Sequence, residues 1–238
     1  MKEIIENFSE EDIIFALYGL LLGDGSYSNG WIYNVHTNKQ RFYCQWLENI
    51  FLEFGLNIKT HYDYIKHTTF GDVLYSHVCV KAPNRLYFET PGIFFDDNKK
   101  KIISDNVLAN INELGLLFWF LDDGQWHVSF KNNSAKRFGY LNTQSFTYSE
   151  NLKIQAMFKE RFDIDLKIHT NTSNFTHKTY YRLYFNATNF RKFFDLVRPY
   201  LIYIPQEFYY KFDMKYYPNR MKKSKEYSEK YNLPINVQ

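Results

Sequence analysis

Two copies of one pattern, an apolar helix that closes on an acid and a glycine, are the residues of this chain best suited to chemistry. They are Leu17–Gly25 and Leu116–Gly124, and their acids, Asp24 and Asp123, are 99 residues apart (123 − 24 = 99). This spacing is about the length of one half of a duplicated fold. Such a fold could bring two identical carboxylates together on a pseudo-twofold axis. Paired carboxylates indicate metal and phosphate chemistry.

The position of each acid at a helix end also predicts a cation. A helix C-terminus carries partial negative charge, so an Asp there is worse placed than a Lys by about 0.3 to 1 kcal/mol, and two close acids repel further. The free carbonyls of the last turn would face the same cation, which favours an all-oxygen Mg²⁺ site. Gly25 and Gly124 are predicted to be left-handed, helix-ending residues. One Asp-Gly pair is typical of an ordinary turn, but the duplication favours function.

The elements that carry these acids can be predicted from local signals. Ser9-x-x-Asp12 is a capping box, which predicts a first helix from about Glu10 to Asp24. Gly19-x-x-x-Gly23 removes side chains from one stripe of that helix, so a second backbone can approach closely. In the second helix, three aromatic residues are predicted to fill the core, namely Phe118, Trp119 and Phe120.

The repeat extends beyond the two motifs. After the first motif we predict a strand over 31–36, a helix with apolar residues from Phe42 to Phe54, strands over 54–59 and 72–81, and a short helix from Asn84. The second half repeats this order, with a strand over 139–144 and a helix from about Ser149. Strands over 162–167 and 179–185 follow, and then a helix opened by 187–189. Matched positions keep a nearly constant offset, for example His36 to Gln144 (144 − 36 = 108).

These offsets predict an α+β fold with two pseudo-symmetric αββαββα halves, each with an antiparallel sheet. We assign 1–98 to the first half, 99–111 to a polar linker, 112–217 to the second half and 218–238 to a basic C-terminal tail. The basic charge of the tail is consistent with contacts to nucleic-acid phosphates. Beyond Pro218 it is equally consistent with a solvated terminus.

Composition limits the possible classes of protein. Net charge is only +3, so charge alone would not identify a nucleic-acid binder. Cys44 and Cys79 are isolated, which predicts neither a disulfide framework nor a zinc site and favours a reducing compartment. No run of eighteen apolar residues occurs, and the acidic N-terminus argues against a signal or transit peptide, so we expect a soluble intracellular protein with no membrane partner. Richness in Asn, Lys, Ile, Phe and Tyr is typical of an AT-rich organelle, phage or similarly biased genome.

The sequence resembles the LAGLIDADG homing endonucleases, in the single-chain class with two motifs. Both nine-residue segments match the family motif in length and register, with Asp24 and Asp123 at the position of its metal-binding acids. Position six is Leu in both copies, and the second copy lacks the glycine at position three. The resemblance implies a monomer whose two sheets form a DNA-binding saddle. It also implies Mg²⁺-dependent cleavage of both strands, with a short stagger, within a long pseudo-palindromic or asymmetric target.

The resemblance also implies roles for individual residues. The metal would be held by Asp24 and Asp123 with the carbonyls of Gly23 and Asp122. By local context we assign the family's active-centre lysines to Lys101 and Lys211, which are 110 residues apart (211 − 101 = 110), with Lys99 and Lys100 as substitutes. Gln144, with His36 opposite, would border the water pocket.

Base recognition is expected from the sheets, because a two-stranded ribbon fits the major groove and alternate residues face one side. The residues that we assign to DNA binding are Asn34, His77, Lys81, Asn142, Arg182 and Tyr184. Further candidates on the same strands are Tyr75 and Tyr180, together with His36 and Gln144.

Two alternatives remain open. Proteins resembling this family also act as intron maturases, so intron RNA is a possible partner, alone or beside DNA; intact Asp24 and Asp123 favour the nuclease. A small-molecule metalloenzyme is disfavoured because no His/Asp/Glu ligand cluster or H-x-x-x-H spacing lies outside the repeat. Composition and resemblance together suggest a mitochondrial setting.

Overall fold

A computed structural model describes residues 8–69, 71–131, 134–172 and 177–212. The chain divides into two compact units, Met1–Asp122 and Asp123–Gln238. The predicted basic tail, 218–238, lies outside the described residues. The predicted domain bounds stay a prediction; the stretch assigned to the linker, 99–111, contains a short helix, α4 (Asp105–Asn110).

The first unit contains one four-stranded antiparallel sheet, five α-helices and one 3₁₀ helix (Asn38–Gln40) among its described residues. In chain order they are α1 (Glu10–Leu22), β1 (Ser26–Ser28), β2 (Trp31–Thr37), α2 (Arg41–Glu53), β3 (Ile58–Thr68), β4 (Gly71–Lys81), α3 (Asn84–Ile93), α4 and α5 (Glu113–Asp123). The strand order is β1-β2-β4-β3. Only the last residue of α5, Asp123, belongs to the second unit.

The first motif helix begins as predicted and ends earlier. Ser9 and Asp12 form the capping box, in which each side chain bonds the other residue's backbone N–H. The helix ends at Leu22 rather than Asp24, because the Gly25 N–H bonds the Leu20 carbonyl at 2.8 Å. The prediction of left-handed glycines is wrong: among described residues the glycines with positive φ are Gly30, Gly55 and Gly71, so neither Gly25 nor Gly124 is one of them.

The two motif helices, α1 and α5, pack backbone against backbone, as the glycine stripe predicted. A Cβ at Gly19 would lie 2.1 Å from the Gly115 carbonyl oxygen, and one at Gly115 would lie 2.6 Å from the Phe15 carbonyl oxygen. No side chain larger than hydrogen fits at either position. The aromatic filling was also predicted correctly, since Phe118, Trp119 and Phe120 are at most 1% exposed.

The second unit repeats the arrangement. Its elements are β5 (Gly124–Lys131), β6 (Ser134–Leu141), α6 (Tyr148–Phe162), β7 (Lys167–Thr172), β8 (Thr179–Phe185) and α7 (Ala187–Val197), followed by two 3₁₀ turns. The antiparallel order is β5-β6-β8-β7, which corresponds strand for strand to the first sheet. The predicted α+β class and the αββαββα repeat are therefore confirmed. The strands that directly follow each motif, β1 and β5, were not located from the sequence.

None of the helices in the described part of the chain has the length and apolar character that crossing a bilayer requires.

Candidate functional site

Two carboxylates meet at the end of the first motif helix. Asp24 lies two residues beyond α1, and its backbone N–H donates to Asp122 Oδ2 at 3.0 Å. We predicted that Asp122 would contribute its carbonyl, but it is the carboxylate that reaches the end of the first motif. Gly23 makes this approach possible, because a Cβ there would lie 2.5 Å from Asp122 Oδ2.

His36 lies beside these carboxylates on the buried face of β2. Its side chain is buried, and its Nδ1 lies 4.0 Å from Asp24 Oδ2 and 3.2 Å from Gln40 Oε1. Its Nε2 contacts Asn34 Oδ1 in a short hydrogen bond. The Asn34 amide nitrogen in turn donates to Asp122 Oδ2 at 3.5 Å. The imidazole is thus held at the carboxylates by a buried amide.

Asp24, His36 and Asp122, which we call the carboxylate cluster, have the composition of a cation site. Each offers one ligand atom, and these atoms all lie within 4.8 Å of one another. Two carboxylate oxygens suit Mg²⁺ or Mn²⁺, and an imidazole nitrogen also suits other divalent transition metals. The donor set therefore fits a divalent ion.

Tyr43 and Cys44 line the buried side of the carboxylate cluster as neutral groups. Burial raises the pKa of Tyr43 well above its usual range, and the Asp122 carboxylate raises it further. Burial likewise raises the pKa of Cys44 to about 12, and its thiol donates to the Ser76 carbonyl at 3.4 Å. Neither group is suited to act as a nucleophile at neutral pH.

In the first unit, Lys101, which we predicted to be an active-centre lysine, contacts the end of the motif. Its Nζ donates to the Gly23 carbonyl in a short hydrogen bond, beside the motif acid Asp24. The alternatives Lys99 and Lys100 are exposed and lie in the preceding turn. The Gly23 carbonyl, predicted as a metal ligand, is therefore also the acceptor for an ammonium group; a carbonyl oxygen has two lone pairs and can serve both.

The second unit has a corresponding lysine. Lys211 is only 7% exposed, and its Nζ donates to the Gly124 carbonyl at 3.2 Å, next to Asp123. Both the backbone N–H and the side-chain amide of Asn142 donate to the Asp123 carbonyl, at 3.0 and 2.8 Å. Exposed Gln144 donates to Asn142 Oδ1 at 3.4 Å. In each unit the predicted lysine thus bonds a carbonyl at the end of the motif.

Strand pairing changes one match made from the sequence. Ser26 and Gln125 each lie two residues after a motif acid, and they pair with Tyr33 and Tyr140 respectively. The strands therefore correspond with an offset of 107 (140 − 33 = 107), not the 108 obtained by matching His36 with Gln144. The position that matches His36 is Thr143.

The first sheet divides the predicted DNA-binding residues between its two faces. His77, Tyr75 and Lys81 alternate along β4 on one face, which we call the open face; Lys81 is exposed there, and Tyr75 and His77 are half-buried. Asn34 is 1% exposed on the opposite face, where it joins the carboxylate cluster rather than an exposed surface. The open face also carries residues that were not predicted: Lys59 over Trp31, His61 against Tyr64, and Lys66, which lies over the predicted Tyr75.

In the second sheet, Tyr180, Arg182 and Tyr184 alternate along β8 on one face, as predicted. The Arg182 guanidinium carbon lies 3.8 Å from the Tyr140 ring centroid, and His169 stacks on Tyr184 with centroids 4.4 Å apart. Burial lowers the pKa of His169, and the positive charges of Arg182 and Lys167 lower it further. The face therefore presents a stacked guanidinium and a predominantly neutral imidazole.

Comparisons with known proteins agree with the motifs. A family model described as the LAGLIDADG DNA endonuclease family matches residues 14–193. The chain is 26% identical over 166 residues to the probable intron-encoded endonuclease 1 of Wickerhamomyces canadensis, covering 69% of this chain and 67% of the relative. It is 33% identical over 104 residues to the probable intron-encoded DNA endonuclease 3 of Mycosarcoma maydis, covering 44% and 68%.

The fold is also that of a solved structure. The homing endonuclease I-WcaI bound to its DNA recognition sequence superimposes with a TM-score of 0.64 at 22% identity, covering 88% of this chain and 90% of that one.

Proposed function

Because this chain belongs to the LAGLIDADG DNA endonuclease family, it is a site-specific DNA endonuclease, and we propose that it acts as a monomer that hydrolyses both strands of its target with Mg²⁺. The observation that carries the metal and site assignments is the carboxylate cluster, which places two acids and an imidazole at the end of a family motif.

In the first unit, we assign metal binding to the carboxylates of Asp24 and Asp122, with the Gly23 carbonyl as a further oxygen donor. A bound divalent ion would supply charge neutralisation at the scissile phosphate. The protein's own contribution is to hold the acids close together: Gly23 leaves the space for Asp122, and the Asp24 N–H donates to it at 3.0 Å.

We assign Lys101 and Lys211 to stabilisation of the charge that develops during phosphodiester hydrolysis, or to activation of water. Each is held by a carbonyl of the motif in its own unit, Gly23 and Gly124 respectively. Asp123, with Asn142 and Gln144 beside it, would serve the second strand. Since each unit has its own motif acid, Asp24 or Asp123, and one lysine bonded to its motif, we propose that each unit cuts one strand.

We assign binding to duplex DNA to the open face of the first sheet and, in the second sheet, to the face of β8 that carries Arg182. His77, Tyr75 and Lys81 in the first unit, and Arg182 and Tyr184 in the second, share faces with further cationic and aromatic residues. Arginine, lysine and histidine can read base edges or contact phosphates, and stacked rings orient the cationic groups. We reassign Asn34 from base contact to positioning, because its amide bonds His36 and Asp122.

We further propose that the chain is intron-encoded and acts inside an organelle, the mitochondrion. Two relatives are probable intron-encoded endonucleases, which supports this setting, as does an amino-acid composition typical of AT-rich genomes.

Cleavage of a randomised duplex library tests the proposed function and identifies the target sequence in the same experiment. The chain is incubated with the library and Mg²⁺, and the cut ends are sequenced. We expect one long recurring sequence with breaks at fixed positions on both strands, and no such breaks when EDTA is present or when Asp24 is replaced by Asn. Recurrent cutting that is unchanged in EDTA would overturn metal dependence.

A further inference from the structure

We propose that His36 is a metal ligand of the first unit, through its Nδ1, so that the two units hold their cations with different donor sets. This inference rests on the proposed metal-dependent function and extends it. Each unit has one motif acid, Asp24 or Asp123, whereas among the described residues a ligand cluster that includes an imidazole is found only in the first unit.

The hydrogen bonds around His36 fix the tautomer that a metal ligand needs. Asn34 donates through its amide nitrogen to Asp122 Oδ2, which turns its oxygen toward His36 Nε2. An acceptor at Nε2 means that this nitrogen carries the proton, so Nδ1 is left as the electron-pair donor. Metal-ligating histidines are generally oriented in this way, by a hydrogen bond from their other ring nitrogen.

The Nδ1 atom also points in the required direction. It lies 4.0 Å from Asp24 Oδ2, and the ligand atoms of Asp24, His36 and Asp122 all lie within 4.8 Å of one another. At 5% exposure the ring is held rigidly at the cluster, and it packs against Tyr43 with centroids 4.9 Å apart. Gln40 Oε1 lies 3.2 Å from Nδ1, and an amide N–H turned toward Nδ1 would occupy its electron pair, so the half-buried Gln40 side chain must turn aside when the ion binds.

The second unit lacks this arrangement at the matching positions. With the observed offset of 107, His36 corresponds to Thr143 and Asn34 to Leu141 (36 + 107 = 143 and 34 + 107 = 141). Thr143 is buried and bonds Asn151, and Leu141 is part of the apolar core. The fold therefore does not itself require an imidazole and an amide at these positions.

An imidazole ligand changes which ion the first unit prefers. Carboxylate and carbonyl oxygens suit Mg²⁺ and Mn²⁺ alike, whereas imidazole favours transition metals over Mg²⁺. We therefore infer that the first unit binds Mn²⁺ in preference to Mg²⁺.

Pulsed electron paramagnetic resonance on the full chain with Mn²⁺ tests the inference without any cleavage. We expect a nitrogen hyperfine coupling that shifts when the protein is labelled with ¹⁵N-histidine. In His36→Gln, which keeps a side chain of similar length that can still hydrogen-bond, the coupling should vanish and the Mn²⁺ dissociation constant should rise by about tenfold or more. The control is His67→Gln, since His67 is exposed at the far end of β3; it should leave both unchanged.

A second variant keeps the inference testable if His36→Gln does not fold. Asn34→Leu, which introduces the residue of the matching position, retains the imidazole but removes its hydrogen-bond acceptor, and should weaken Mn²⁺ binding about 10- to 100-fold. Bound Mn²⁺ with no histidine coupling in the parental chain would overturn the inference and leave the proposed function standing. Failure of the proposed function would appear instead as metal-independent cleavage or none, with the coupling still present.

Discussion

Replacing Gly19 with alanine tests whether close packing of the two motif helices stabilises the first unit. On helix propensity alone the change would stabilise by about 1 kcal/mol. The new Cβ would, however, lie 2.1 Å from the Gly115 carbonyl oxygen and 2.7 Å from Phe118 Cβ. Because the obstacle is backbone, the helices must separate by roughly 1 Å, and overpacking of this kind costs about 3 kcal/mol at the upper end of its usual range.

The net expectation for Gly19→Ala is a loss of about 2 kcal/mol, which corresponds to a fall in melting temperature of roughly 4 to 8 °C for a chain of this size. Circular dichroism melts in the absence of DNA measure it. Gly92→Ala is the matched control, since Gly92 is also helical but a Cβ there would contact nothing within 4 Å. If Gly19→Ala melts at or above the parental temperature while Gly92→Ala is neutral or stabilising, the close approach does not exist in solution.

Three further predictions concern the site and the sheet faces. Lys101→Met should lower the single-turnover cleavage rate about 100-fold or more with little change in DNA affinity; an equal effect of Lys99→Met would contradict the assignment of Lys101. Arg182→Gln should weaken DNA binding by about 1 to 3 kcal/mol and relax base preference at one position of the target; uniform weakening at all positions would indicate a phosphate contact instead. In the same variant, NMR titration should show the pKa of His169 rising toward its usual value but still below it, since burial, the larger cause, remains. Full recovery of the usual value would show that charge, not burial, is the main cause.

Local signals predicted the helices and the repeat well because the interactions that set them lie within a few residues. The capping box of Ser9 and Asp12 and the aromatic run at 118–120 are of this kind. The lysine assignments rest on the family pattern in each half and stay predictions. The end of α1 could not be predicted in the same way, because it depends on the 2.8 Å bond from Gly25 to Leu20, which a helix-propensity pattern does not encode.

The faces of β2 show why the site itself was only partly predictable. From Tyr33 to His36 an aromatic or apolar residue alternates with a polar one, and a half-buried strand normally turns its polar residues outward. Here Asn34 and His36 are buried while Val35 is 40% exposed, because the polar pair bonds the carboxylate cluster. The partner, Asp122, is 88 residues away from Asn34 in sequence. Only the tertiary structure brings them together.

Replacing Asp24 with Asn, with the cleavage of each strand and DNA binding measured on the same target duplex, tests most directly the claim that the motif acids form metal-dependent cleavage centres. We predict that double-strand cleavage in Mg²⁺ is lost while affinity for the duplex is largely retained, because phosphate and groove contacts lie on the sheets. Cleavage of both strands at the parental rate would contradict the account.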